Sequence, residues 1–149
     1  MRLDASVVLK VRRDVVWEVL DDINQAAQCL PGVEVVSSSE DGVANVTAER
    51  QLGPLKPRFS GQLTVLEKFP PQRLVFRAEG KDSKTGTIAS ATVTLELDEA
   101  ADGQETRLSY QADINLKGVL GQFGRGIFHR TASSMMSEFL QCLDQKLSR

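Results

Sequence analysis

Residues 118–147 read GVLGQFGRGIFHRTASSMMSEFLQCLDQKL, and this stretch decides the fold. Phe123, Ile127, Thr131, Met135, Phe139, Leu143 and Leu147 recur every four residues. A second row, Leu120, Phe128, Ala132, Met136 and Leu140, runs beside the first. Side chains so spaced share one face of an α-helix, which predicts a helix from Gly121 to Leu147 about 40 Å long. Two adjacent rows make an apolar face broader than one helix–helix seam requires. No other segment has a comparable helical length, so this helix is expected to lie on a sheet and to leave room for a ligand beneath it.

The sheet is legible upstream. Leu3, Ala5, Val7, Leu9 and Val11 alternate with Arg2, Asp4, Ser6 and Lys10, the pattern of a half-buried strand. A short helix follows with Val15, Val16, Trp17, Val19, Leu20 and Ile23, and Asp14 near its start suits the helix dipole. A second short helix, Asn24 to Cys29, stops at Pro31-Gly32. Strands are then expected at Val33–Ser38, Val43–Leu52, Leu55–Lys68, Arg73–Lys81, Gly86–Leu97 and Thr106–Leu116, joined by short turns as an antiparallel meander. Several inward positions are small: Ala48, Gly61, Ala78, Ala89, Ala91 and Ala112.

Composition narrows the function. A chain of 149 residues suits one domain, 1–149, with a sizeable core. A net charge of -2 supplies no bulk basic field for nucleic acid. No apolar run approaches the roughly 20 residues that span a membrane. The start, Met1-Arg2-Leu3-Asp4, does not read as a secretory signal, so a cytoplasmic location is expected. Cys29 and Cys142 sit among apolar neighbours and are read as free thiols, with a disulfide as the alternative. With His129 the one histidine, no metal site is expected.

The candidate residues carry little chemistry. His129 has no Ser, Cys or Asp partner at readable spacing and is read as structural. Gly121, Gly124 and Gly126 lack the strand–turn–helix context of a dinucleotide loop. Each glycine costs a helix about 1 kcal/mol relative to alanine, so this first turn is read as a weak gate or a plain loop. Arg50 shares its strand parity with Val46, Ala48 and Leu52 and so points inward. There a carboxylate or ligand anion must meet it, unless the strand bends before Gly53 and frees it to water. No catalytic constellation and no cofactor motif emerges.

The order of elements, with Trp17 on the first helix, resembles the START/birch-pollen-allergen helix-grip superfamily (SRPBCC). Val16-Trp17-Glu18-Val19-Leu20, Cys29-Leu30-Pro31-Gly32-Val33-Glu34, Gly53-Pro54-Leu55-Lys56 before Phe59-Ser60-Gly61, and Thr106-Arg107-Leu108-Ser109-Tyr110 look like the CoxG family, the G-subunits of carbon monoxide dehydrogenase. The likeness spans essentially the whole chain. It implies an α+β fold in which about seven antiparallel strands grip the C-terminal helix around an apolar tunnel. Relatives usually place an aliphatic residue where this chain has Arg50.

The resemblance further implies a non-enzymatic binder of a quinone or lipid-like molecule. Its partner would be a molybdenum hydroxylase of carbon monoxide dehydrogenase type or that enzyme's maturation factors, with a role in assembly, membrane recruitment or electron-acceptor delivery. Contact would then be peripheral, at the inner face of the membrane, by a monomer or weak homodimer. The tunnel lining expected on this basis is Trp17, Leu30, Arg50, Phe59, Phe76, Tyr110, Phe123, Ile127, Thr131 and Met135, with Gly121, Gly124 and Gly126 as the gate. A cyclase- or hydratase-like enzyme using Tyr110 with Arg50, and a ligand-free interaction module, are the alternatives.

Overall fold

A computed structural model of the chain describes residues 1–120 and 125–147. In chain order the elements are β1 (Arg2–Leu9), α1 (Arg13–Leu20), α2 (Ile23–Ala27), β2 (Val33–Ser38), β3 (Val43–Glu49), β4 (Arg58–Phe69), β5 (Arg73–Asp82), β6 (Ile88–Ala100), β7 (Glu105–Lys117) and α3 (Arg125–Leu147). The strands form one seven-stranded antiparallel sheet in the order β1-β7-β6-β5-β4-β3-β2. The two short helices carry the chain from one edge strand to the other, and the meander then walks back. This is the helix-grip architecture that the sequence predicts.

Local chemistry explains the boundaries. Asp22 caps α2: its carboxylate accepts from the Asn24 N–H and from Gln25 Nε2, both at 3.0 Å. The bond from Gln25 is the main reason that this carboxyl lies below the usual aspartate range. Past α2 the chain turns at Gly32, whose φ of +82° favours glycine. A Cβ there would also run into the carbonyl of Glu49. β3 ends at Glu49 rather than Leu52, because Leu52-Gly53-Pro54-Leu55 closes its own turn through Leu52 N–H to Leu55 O (2.6 Å) and Leu55 N–H to Leu52 O (3.1 Å).

The sheet is strongly curved, and its irregularities are local. Register slips at Val35/Ser37 and at Val65/Glu67, the bulges that bend a strand and increase its twist. Gly61 stands opposite Gly80 across β4 and β5. A Cβ at Gly61 would overlap the Glu79 carbonyl and the Gly80 Cα, so the close approach of the two strands requires glycine there.

Apolar burial is concentrated at one end. Val16, Trp17, Val19 and Leu20 of α1 pack with Leu9, Leu74, Leu95, Leu97, Leu108 and Tyr110 of the sheet and with Phe139, Leu140 and Leu143 of α3. The expected helix is present, and its described part, α3, has 23 residues, about 34 Å at 1.5 Å per residue. The expected helical residues Gly121 and Gly124, and Phe123 of the apolar row, lie outside the described residues.

The free-thiol reading is corrected. Cys29, just past α2, and Cys142, near the end of α3, are joined in a disulfide with their Cα atoms 5.3 Å apart. A separation of 113 residues leaves no local signal of this pairing. Only the folded path of α3 back over α2 brings the two together.

Gly61→Ala is expected to lower stability by about 2–4 kcal/mol in urea unfolding, since neighbouring backbone has no room to give; an unchanged midpoint would refute the close-approach argument. Replacing both cysteines by serine is expected to cost about 2–4 kcal/mol. Dithiothreitol should bring the parent protein down to the same midpoint and leave the double variant unaffected.

Candidate functional site

The inward face of the sheet divides into a closed half and an open half. In the closed half Leu9 and Leu108 have no exposed surface and Leu97 has 1%. Towards the other end the inward row changes character. Val46, Ala48, Phe59, Gly61, Leu63, Ala78, Ala89 and Leu116 all face in by strand parity yet remain half-buried. Above them on α3, Ile127, Phe128, Thr131, Met135 and Met136 are half-buried too. These inward apolar groups keep some contact with solvent, unlike the tightly packed closed end, and the side of the sheet between them and α3 is called the cleft.

The expected lining residues fall in different parts of this arrangement. Trp17 and Tyr110 belong to the closed core. Leu30 and Phe76 are half-buried and pack against its border. Arg50, Phe59, Ile127, Thr131 and Met135 are half-buried around the cleft. Of the expected gate, Gly126 is exposed, whereas Gly121, Gly124 and the lining residue Phe123 lie outside the described residues. Thr131 Oγ1 donates to the Ile127 carbonyl at 3.0 Å, so its hydroxyl is engaged within the helix and its methyl is left to the apolar face.

The charged feature of the cleft is an ion pair. Arg50 Nη1 donates to Glu138 Oε2 at 2.8 Å, and Nη2 donates to Oε1 at 3.1 Å. This bidentate geometry ties the end of β3 to the middle of α3. The side chains are 26% and 43% exposed, so the pair is neither dry core nor free surface. The strand ends one residue before Arg50, so parity does not fix its direction; it turns to α3, and its carboxylate partner belongs to the protein. Sequence reasoning misses Glu138 because a single glutamate on a helix carries no mark of its mate. Hydrogen bonding from Arg50 holds the Glu138 carboxyl below the usual range, and the same bond raises the Arg50 guanidinium.

A second polar knot fixes the approach to α3. Asp82 is buried and accepts from the Thr85 hydroxyl (2.7 Å), the Thr85 N–H (3.1 Å) and the Arg58 N–H (3.2 Å). The Thr85 hydroxyl principally, then the backbone N–H groups, hold its carboxyl below the ordinary aspartate range. Thr87, also buried, accepts the Leu120 N–H at 3.2 Å and so anchors the chain where it leaves β7. These polar groups are satisfied by the turn itself and by the Arg58 and Leu120 N–H groups, which leaves Asp82 a structural residue.

Tyr110 is pushed to a higher pKa by burial, with Asp4 adding to the shift. His129 is exposed on α3. Among the described residues no group of three or more His, Cys, Asp or Glu is placed to hold a metal ion. No helix among them is long and apolar enough to cross a membrane. On the outer face, an open groove of about 360 Å3 is lined by Asp4, Ser6, Thr94, Glu96, Ser109 and Gln111, with Ala5 and Tyr110. Polar side chains outnumber apolar ones in that lining.

The ion pair makes a pH prediction with a definite sign. Because the folded Glu138 carboxyl lies below its unfolded value of about 4.3, the stability it contributes is complete at neutral pH. It is lost as pH falls through that value towards the folded one. Between about pH 7 and pH 3 the melting temperature of the parent protein should fall further than that of Glu138→Gln. A constant difference between the two curves would refute the linkage.

Comparison with known proteins follows the same lines. The family model described as the carbon monoxide dehydrogenase G-subunit (CoxG) matches residues 6–148. No curated protein matches the chain. A conserved protein from Geobacillus kaustophilus superposes with a TM-score of 0.87 at 18% identity, covering 99% of this chain and 95% of its own. The Zhui aromatase/cyclase from Streptomyces sp. R1128 gives 0.74 at 16% identity, covering 100% and 94%. A START superfamily protein from Mycobacterium smegmatis gives 0.69 at 8% identity, covering 99% and 97%. At these identities the structures speak for the fold alone. The family match runs over nearly the whole length, and the chain belongs to the CoxG family of carbon monoxide dehydrogenase G-subunits.

Proposed function

We propose that this protein binds a hydrophobic small molecule, quinone or lipid-like, in the cleft between α3 and the open half of the sheet, and does so as an accessory to a molybdenum hydroxylase of carbon monoxide dehydrogenase type. The observation that carries the reading is the half-buried state of Phe59, Leu63, Ala78 and Ala89 below Ile127, Phe128 and Met135. Apolar surface left partly wet in a concave site gains about 25 cal/mol for each Å² that a ligand covers. Met135 and Met136 are unbranched and adaptable, which suits a flexible guest. Membership of the CoxG family supports the accessory role and the partner.

The fold likeness to an aromatase/cyclase keeps the enzymatic alternative in view. A proton-transfer role for Tyr110 with Arg50 is poorly supported. Burial raises the phenol, which makes it a weaker acid near neutral pH, and Arg50 is committed to Glu138. Location at the inner face of a membrane and delivery of an electron acceptor remain parts of the proposal. The disulfide counts against the former, because such bonds persist chiefly where the surroundings are oxidising.

Titration with menaquinone in detergent-free vesicles is expected to quench Trp17 fluorescence and saturate at one equivalent. Ala78→Phe, which places a ring in the cleft, should weaken that binding at least tenfold while the melting temperature stays close to that of the parent. Mass spectrometry of the purified protein should reveal a co-purifying apolar molecule. Flat fluorescence together with a ligand-free spectrum would exclude the reading.

A further inference from the structure

We infer that Glu138 is a specificity-determining residue, which makes the cleft select uncharged headgroups and turn away carboxylates. This rests on the cleft being a ligand site. Arg50, one residue past the end of β3, is the cation that meets α3 from the sheet side and could recognise an anionic head. Both of its terminal nitrogens already donate to the Glu138 carboxylate. A fatty-acid head would have to take those donors from Glu138. It would then leave a second carboxylate close by without its partner, and two like charges in a partly desolvated site repel.

An uncharged oxygen meets no such barrier. A guanidinium has five N–H groups in a planar fork, and a carbonyl or hydroxyl can share them without displacing the carboxylate. Asp82 adds no competing recognition, because its carboxylate is occupied by Thr85 of its own turn and by the Arg58 N–H. The pair thus serves two ends at once. It neutralises a cation at the cleft, and it leaves a polar contact suited to a ketone, quinone or alcohol. Glu138 stands one helical turn after Met135 and Ser134, on the flank of α3 that meets the end of β3. Its removal therefore exposes Arg50 to whatever occupies the space below.

The experiment compares decanol with decanoate at pH 8 by calorimetric titration of the full chain. The parent protein is expected to bind decanol. Glu138→Gln and Glu138→Ala should each tighten decanoate binding about tenfold, or about 1.4 kcal/mol, and leave decanol within twofold. Adding Arg50→Leu to Glu138→Gln should abolish that gain. An unchanged decanoate-to-decanol ratio in both single variants, with decanol still bound, overturns the selectivity of Glu138 and leaves the ligand site standing. Failure of the parent to bind either molecule overturns the ligand site and this inference together. Two single variants are used so that a folding defect in one, visible as a lowered melting temperature, leaves the other decisive.

Discussion

One 23-residue helix has to cover the inner face of seven strands, and that mismatch of areas governs the rest of the structure. A sheet that stayed flat would leave most of its apolar face wet, at a cost of about 25 cal/mol for every Å². This sheet curls instead, through its bulges and through the glycines paired across β4 and β5. The two short helices then fill the end that α3 and the curl cannot close. Coverage is complete where α1 contributes Val16, Trp17 and Leu20, and incomplete where it does not reach. The cleft is the remainder.

Much of this is legible in sequence. Period-two alternation locates every strand, and the four-residue repeat locates α3, because both patterns record which face is buried. Boundaries move where short-range chemistry outweighs alternation, as at Leu52–Leu55, where a turn takes residues that alternate like a strand. The small inward residues are visible as well, and they occupy the open half. The partners of Arg50 and of Cys29 are not visible. Both lie on α3, at positions 138 and 142, and both pairings arise only when the last element folds back over the β2–β3 side of the sheet. Long-range pairs of this kind leave no spacing to read.

The electrostatics are local throughout. Asp82, Asp22 and Glu138 each have a lowered pKa because a nearby donor bonds the charged form. Each carboxylate holds part of the chain in place, by closing a turn, capping a helix, or binding a strand end to α3. Among the described residues the inward surface is mainly apolar, with Arg50 and Glu138 at its edge, a contrast with the hydroxyls, amide and acids that line much of the outer groove. The two faces of one sheet therefore offer unrelated chemistry only one strand thickness apart.

The disulfide has a consequence in the order of synthesis. Cys29 leaves the ribosome before all but the first strand, yet its mate at Cys142 follows the last strand by 25 residues, the difference between 142 and 117. Chains fold as they emerge, from the N-terminal side. The crosslink therefore becomes available only once every strand has been made, and in the folded molecule it locks the last element, α3, against the segment that follows α2.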